Sequence, residues 1–116
     1  MEGSQMTDDE ALKFMRNKRL NVEFCLVRDW IWIDINVTPA QLAELEKTHR
    51  QPVIIFSHRV IYDSMRRWDV GDLVRTSLLH EFRDGFLFQT LNTDYVLLGQ
   101  GMRKRAALET VGRIVF

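Results

Sequence analysis

The sequence predicts an α+β domain in which two helices pack on a curved antiparallel sheet of about five or six strands, a meander that can close into a small barrel. An Asp84-Gly85 pair between two segments rich in β-branched and aromatic residues is typical of a β-hairpin. Capping patterns at Thr7 and Thr38 mark the starts of two helices. With 116 residues, the chain is expected to form a single domain over residues 1–116.

The first helix is predicted over Asp8 to Lys18. The hydroxyl of Thr7 can accept a hydrogen bond from the amide of Glu10, whose carboxylate can accept one from the amide of Thr7. The helix has a narrow apolar stripe, which we expect to pack on the sheet. Residues 1–6 are expected to be disordered or to derive from an expression tag.

The segment over residues 22–37, VEFCLVRDWIWIDINV, contains β-formers apart from Arg28-Asp29, which predicts a hairpin or one long bent strand. Side chains alternate along a strand. One face of this segment therefore carries Trp30 and Trp32, and the opposite face carries Ile31, Ile33 and Ile35. The isoleucine face is predicted to be the buried one.

The second helix is predicted to begin after Thr38, with proline at its first position, and to run to His49. Leu42 and Leu45 are predicted to be its inner contacts. Residues 53–64 follow as a nearly continuous apolar strand, a pattern typical of a strand inside a sheet.

Residues 71–101 are predicted to form the meander. Asp84-Gly85 supplies the two positive φ values of a two-residue type I′ turn, which places Phe82 opposite Leu87. Residues 92–94 supply a second reversal. Both faces of this meander carry apolar residues, so we expect the sheet to be covered on both sides.

The C-terminal region contains a basic cluster, Met102 to Arg105, within a predicted turn over Gly99 to Arg105. Leu108 and Val111, at helical spacing, precede a predicted terminal strand over Arg113 to Phe116.

Composition excludes several classes of protein. Sixteen Lys plus Arg balance sixteen Asp plus Glu, so no overall field attracts nucleic acid or acidic lipid. No apolar run approaches a membrane span, and the start of the chain lacks an export signal. The one cysteine, Cys25, is compatible with a reducing compartment, and we expect it to be a buried hydrophobe with a raised thiol pKa. The predicted location is the cytoplasm, with no membrane partner.

The residues with catalytic or metal-binding potential do not form a recognisable motif. His49, His58 and His80 have no ligand spacing, and one cysteine cannot make a thiolate site. A strand pairing can bring His58 near His80, but such imidazoles are interpreted as core or surface residues. We therefore predict no metal, no cofactor, no catalytic residue and no enzymatic activity.

Aromatic and arginine side chains near turns instead predict a protein interface, because these residues dominate binding energies between proteins. The candidate contacts are Trp30, Arg66, Arg67, Trp68 and Arg103. The predicted function is a non-enzymatic protein-binding domain that inhibits or assists a partner by occlusion. A homodimer through the sheet edge is also open.

The alternative is a small barrel that binds nucleic acid through a local basic patch. Its candidate contacts are Arg75, Arg103, Lys104 and Arg105.

Two motifs, RW-x-x-GD-x-VRTS-x-L from Arg67 and DG-x-LFQT-x-NT-x-YVLLG-x-G from Asp84 to Gly101, resemble a family of small uncharacterised domains from proteobacteria and their prophages. The resemblance carries no catalytic residue. It implies a short accessory protein of bacterial or phage origin that acts by contact, as an inhibitor, immunity factor or regulator.

Overall fold

A mixed sheet of seven strands with three helices makes up the part of the chain described by the computed structural model, residues 1–18, 23–69 and 71–112. The elements are α1 (Asp8–Lys18), β1 (Phe24–Asn36), α2 (Pro39–Lys47), β2 (Val53–Asp63), β3 (Val74–Arg75), β4 (Glu81–Arg83), β5 (Leu87–Gln89), β6 (Asp94–Leu97), β7 (Met102–Ala107) and α3 (Leu108–Gly112). The predicted terminal strand over residues 113–116 lies outside the described residues.

Strand β1 organises the sheet, in the order β3-β2-β1-β6-β5-β4. It pairs antiparallel with β2, parallel with β6 along its first part, and parallel with β7 along its second part. The α+β class and the curved sheet are confirmed, but the sheet is mixed and does not close into a barrel. Hairpin signals concern only strands that follow one another, so they could not reveal these parallel pairings.

The segment around Arg28-Asp29 is a bend in one long strand, which was one of the two predicted alternatives. Asp29 has a φ of 50°, and the hydroxyl of Ser57 donates to the carbonyl of Arg28 at 2.7 Å. Cys25 and Trp30 belong to the same core cluster on either side of the bend. The bend therefore shifts the alternation of side chains by one residue and keeps one continuous apolar face.

The two faces of β1 are both apolar, and the larger core lies on the tryptophan face. Trp30 is only 1% exposed, and the rings of Phe82 and Phe88 pack edge-on against Trp32 at 4.9 and 5.5 Å. The isoleucine face is buried too, through Ile33 and Ile35. The prediction that only the isoleucine face is buried was therefore wrong. Both faces are buried, because the meander covers the tryptophan face.

The turn at Asp84-Gly85 has both predicted positive φ values, 57° and 77°. The loop nevertheless contains three residues, because Arg83 pairs with Leu87 and Phe82 pairs with Phe88. The predicted pairing of Phe82 with Leu87 was wrong by one residue. A one-residue change in register moves Phe82 to the tryptophan face, where it reaches Trp32.

The two capping boxes are confirmed. At α1, the amide of Glu10 donates to Thr7 Oγ1 at 3.2 Å and the amide of Thr7 donates to Glu10 Oε1 at 3.0 Å. At α2, Thr38 and Gln41 make the same reciprocal pair. The packing of the two helices differs: α1 buries Ala11 and Met15, whereas no residue of α2 is buried.

One further expectation was wrong. Leu42 of α2 is exposed rather than an inner contact, since α2 buries none of its residues. At the start of the chain, the amide of Gly3 donates to the carbonyl of Gly99 at 2.8 Å, and Ser4 is buried. Main-chain pairing with residues 97–101 holds this segment in place.

Candidate functional site

Trp30 is part of the core and not of the surface. Its indole Nε1–H donates to the carbonyl of Leu98 at 3.1 Å, and its ring lies against Gly101. A partner could reach this ring only if the sheet were opened. The prediction of Trp30 as a contact residue was therefore wrong, because the meander, distant in sequence, closes over it.

Arg67 lies in a charged network at the end of β2. Its Nε and Nη2 donate to Asp63 Oδ2 and Oδ1 at 3.1 and 2.9 Å, and its Nη1 donates to Thr93 Oγ1 at 3.1 Å. The hydrogen bonds with Asp63 raise the pKa of Arg67 above its ordinary value. Asp63 is buried, so this guanidinium neutralises a carboxylate that water barely reaches. Arg67 therefore joins β2 to the loop before β6.

The neighbours of Arg67 differ from it in exposure. The ring of Trp68 is half-buried, with the Arg67 guanidinium 4.6 Å from its centroid and the ring of Tyr95 6.4 Å away. The side chain of Arg66 is exposed and makes no hydrogen bond or ion pair within the described ranges. Of these three predicted contacts, only Arg66 projects freely into solvent.

A polar cleft of about 780 Å³ lies beside Arg67. The cations on its walls are balanced by carboxylates: Arg67 Nη1 lies 3.6 Å from Glu23, and Arg83 Nη2 lies 2.9 Å from Glu81. Asp94 lines the cleft as well, so two arginines face three carboxylates and the cleft offers no surplus of positive charge to an anionic ligand.

His49 and His80 are neighbours, with ring centroids 6.4 Å apart, whereas His58 lies elsewhere on β2. His80 Nδ1 is 2.6 Å from the carbonyl of His49, while the ring of His58 packs edge-on against Phe56 at 4.7 Å. Among the residues that the structure describes, no three His, Cys, Asp or Glu side chains converge as metal ligands do.

Burial raises the pKa of the Cys25 thiol to about 12, with a smaller contribution from the charge of Asp63.

The basic cluster at residues 103–105 lies on a strand, β7, and not in the predicted turn. Arg103 is held by two hydrogen bonds to Asp34, at 2.7 and 3.2 Å, and lies 5.6 Å from the centre of the Trp32 ring. The bonds from Arg103 lower the pKa of Asp34. Arg105 donates to Asn36 Oδ1 at 3.3 Å, and the side chain of Lys104 makes no hydrogen bond or ion pair in the described part of the chain.

The four residues of the nucleic-acid alternative are divided between the two faces of the sheet. Arg103 and Arg105 pair with Trp32 and Asp34, on the tryptophan face. Lys104 pairs with Ile33 on the other face, and Arg75 lies on β3, beyond β2. The structure therefore does not bring these residues together as one strip.

One exposed apolar side chain lies at each end of β7. Met102 is 53% exposed and Leu108 is 49% exposed. Next to Leu108, a groove of about 280 Å³ opens between α2, α3 and the sheet. Its apolar lining consists of Ile35, Val37, Leu45, Pro52, Leu78 and Leu108. We call β7 together with Leu108 and this groove the β7 surface.

Sequence reasoning missed this groove because its lining comes from separate elements. One sequence feature could have indicated the groove: α2 has too few apolar residues to form a fully buried stripe, so it cannot pack closely on the sheet.

These features define a small α+β domain with an open mixed sheet and a partly apolar, partly basic surface at one end. None of the helices among the described residues is long and apolar enough to cross a bilayer. The chain belongs to the family described as a domain of unknown function, DUF6957, which matches residues 2–113. No curated protein and no solved structure matches the chain significantly. The predicted resemblance to an uncharacterised domain family is confirmed, and over more of the chain than its two motifs span.

Proposed function

We propose that this domain is a non-enzymatic protein-binding module that occludes a partner protein through the β7 surface. One observation supports this most: Leu108 is about half exposed at the edge of an apolar groove, next to the basic strand β7. An apolar centre with a charged rim is the usual anatomy of a protein interface. An exposed apolar patch with polar residues around it is also a common mark of such sites.

Arg103 suits a preformed contact. Asp34 and the Trp32 ring already hold its guanidinium, so binding would order few additional torsions. Of the five contacts predicted from the sequence, Arg103 is the one that lies on the β7 surface. Arg66, Arg67 and Trp68 lie near Asp63, at the other end of β1.

We further propose that the partner is a protein of a bacterium or its phage, met in the cytoplasm, and that the domain acts on it as an inhibitor or accessory factor. The resemblance of the motifs in residues 67–101 supports this setting. The nucleic-acid alternative has less support, because its four basic residues do not form one strip and the overall charge is balanced.

Affinity capture from a bacterial lysate tests the proposal, with Leu108→Asp as the disruptive variant. The aspartate would place a charge at the mouth of the groove and should remove most of the captured protein. Leu91→Asp is the matched control, because Leu91 is 56% exposed and lies in the loop before β6, at the opposite end of β1. Circular dichroism of both variants would establish that each still folds.

Equal capture by the two variants would rule out the β7 surface as the interface.

A salt titration distinguishes protein binding from the nucleic-acid alternative. Binding to nucleic acid should weaken steeply between about 50 and 200 mM salt, while a largely apolar protein contact should weaken much less. Loss of the captured material on nuclease treatment would favour the nucleic-acid alternative.

A further inference from the structure

We propose that the partner contributes an extended acidic segment, which pairs with the open edge of β7 as an additional strand. This inference rests on the proposed function and specifies how the partner is recognised.

One edge of β7 has no partner strand within residues 1–18, 23–69 and 71–112. All six residues of β7 pair with β1, from Ile31 with Met102 to Asn36 with Ala107. Among the described residues, no strand pairs with its other edge. In a strand that is paired on one side, every second residue directs its N–H and C=O away from the sheet. These groups are ready to bind another extended chain.

The residues just before β7 already take part in such pairing. The amide of Gly3 donates to Gly99, and the amide of Gly101 donates to the carbonyl of Met1 at 2.9 Å. Glu2 and Gln100 form an antiparallel bridge. A segment of this chain thus pairs with residues 98–101, and the pairing does not extend over Met102–Ala107.

The charge of β7 selects an acidic segment. Residues 103–105 are all basic and exposed, and whereas Arg103 forms an ion pair with Asp34, Lys104 forms none with the residues that the structure describes. A second copy of the chain is a poor occupant, because antiparallel pairing of two β7 strands would place basic residues opposite basic residues. Carboxylates in the same positions would be attracted instead.

The alternation of side chains gives the segment a pattern. Met102, Lys104 and Ala106 lie on the isoleucine face, since they pair with isoleucines of β1. Their cross-strand neighbours should be apolar, acidic and apolar. Arg103 and Arg105, on the tryptophan face, should each oppose a further carboxylate. The pattern reads Val-Glu-Glu-Glu-Val and is the same in both chain directions.

The test uses the capped peptide Thr-Val-Glu-Glu-Glu-Val-Thr, titrated into the full chain and followed by amide NMR. We expect chemical-shift changes centred on residues 102–107 and slower hydrogen exchange at alternate amides of β7.

Two N-methylated versions of the peptide test whether its main-chain amides bind β7. One is methylated at both valines and the central glutamate, and the other at the two flanking glutamates. One version should lose affinity about tenfold or more and the other should keep it, since only one set of amides faces β7.

Lys104→Glu should weaken peptide binding about tenfold. Lys13→Glu is the control: it makes the same change at an exposed position of α1 and should leave peptide binding unchanged. Equal binding of the two methylated peptides, or no binding to the wild-type chain, would overturn strand addition. If the peptide fails while Leu108→Asp still abolishes capture, only this inference falls and the proposed function stands. Protection of β7 that depends on protein concentration without peptide would identify a second copy as the occupant and overturn the acidic partner.

Discussion

Replacing Arg67 by methionine should destabilise the fold, because the buried carboxyl group of Asp63 would lose its cation and two of its hydrogen bonds. The variant loses two charged hydrogen bonds to Asp63 and one hydrogen bond to Thr93, while the methionine retains packing on Trp68. Breaking a buried ion pair on one side typically costs about 3–5 kcal/mol. The Arg67 side chain is 34% exposed, so water can partly replace it, and we expect a loss of about 2–3 kcal/mol.

Guanidinium chloride unfolding at neutral pH measures this loss directly, and the melting temperature should fall by about 8–12 °C. Arg66→Met is the matched control: Arg66 is the adjacent residue, of the same type, and its exposed side chain makes no hydrogen bond or ion pair within the described ranges. Its effect should stay within about 0.5 kcal/mol.

A double-mutant cycle with Asp63→Asn isolates the pair, and we expect a coupling free energy of about 1–2 kcal/mol. The reasoning would be refuted if Arg67→Met unfolded at the same denaturant concentration as the wild type. It would also fail if Arg66→Met cost as much as Arg67→Met, since the loss would then not depend on the network.

Three further predictions concern the core and the helix ends. Gly101→Ala should cost about 1–3 kcal/mol in thermal unfolding, because a Cβ would lie 2.3 Å from the ring of Trp30; an unchanged melting temperature would contradict this contact. Because burial raises the pKa of the Cys25 thiol from 9.0 to about 12, the unfolded state loses its proton first. Stability should therefore fall between pH 9 and 12, and less steeply in Cys25→Ala; parallel curves would refute this account. Thr7→Ala should lower the global stability by about 1 kcal/mol. Thr38→Ala should mainly speed amide exchange within α2, which buries no residue; a similar global loss in both variants would contradict the difference in packing.

Features set by neighbouring residues were predicted well from the sequence. The capping boxes of α1 and α2 involve partners three residues apart, so the local chain alone decides them. The positive φ values at Asp84-Gly85 follow from the same kind of local preference. The raised pKa of Cys25 also followed from its apolar neighbours in a buried strand.

Features that join distant residues were decided by the tertiary structure. Register in the β4–β5 hairpin depends on whether Phe82 packs against Trp32, which the turn residues do not specify. Arg103 meets Asp34 across 69 residues, and this contact exists only because β7 pairs parallel with β1. The β7 surface arises in the same way. It combines the edge strand β7, the helix α2, which buries no residue, and Leu108 of α3.

The sequence by itself determined where α1 and α2 begin, the long strands β1 and β2 and the turn at Asp84-Gly85, because capping, turn chemistry and alternation act over a few residues. It did not determine β7, which forms where a turn was predicted and which pairs with the distant β1. Only the tertiary structure decided which aromatic rings are buried and which strand edge is left open. Burial and pairing depend on which elements meet, and those elements lie far apart along the chain.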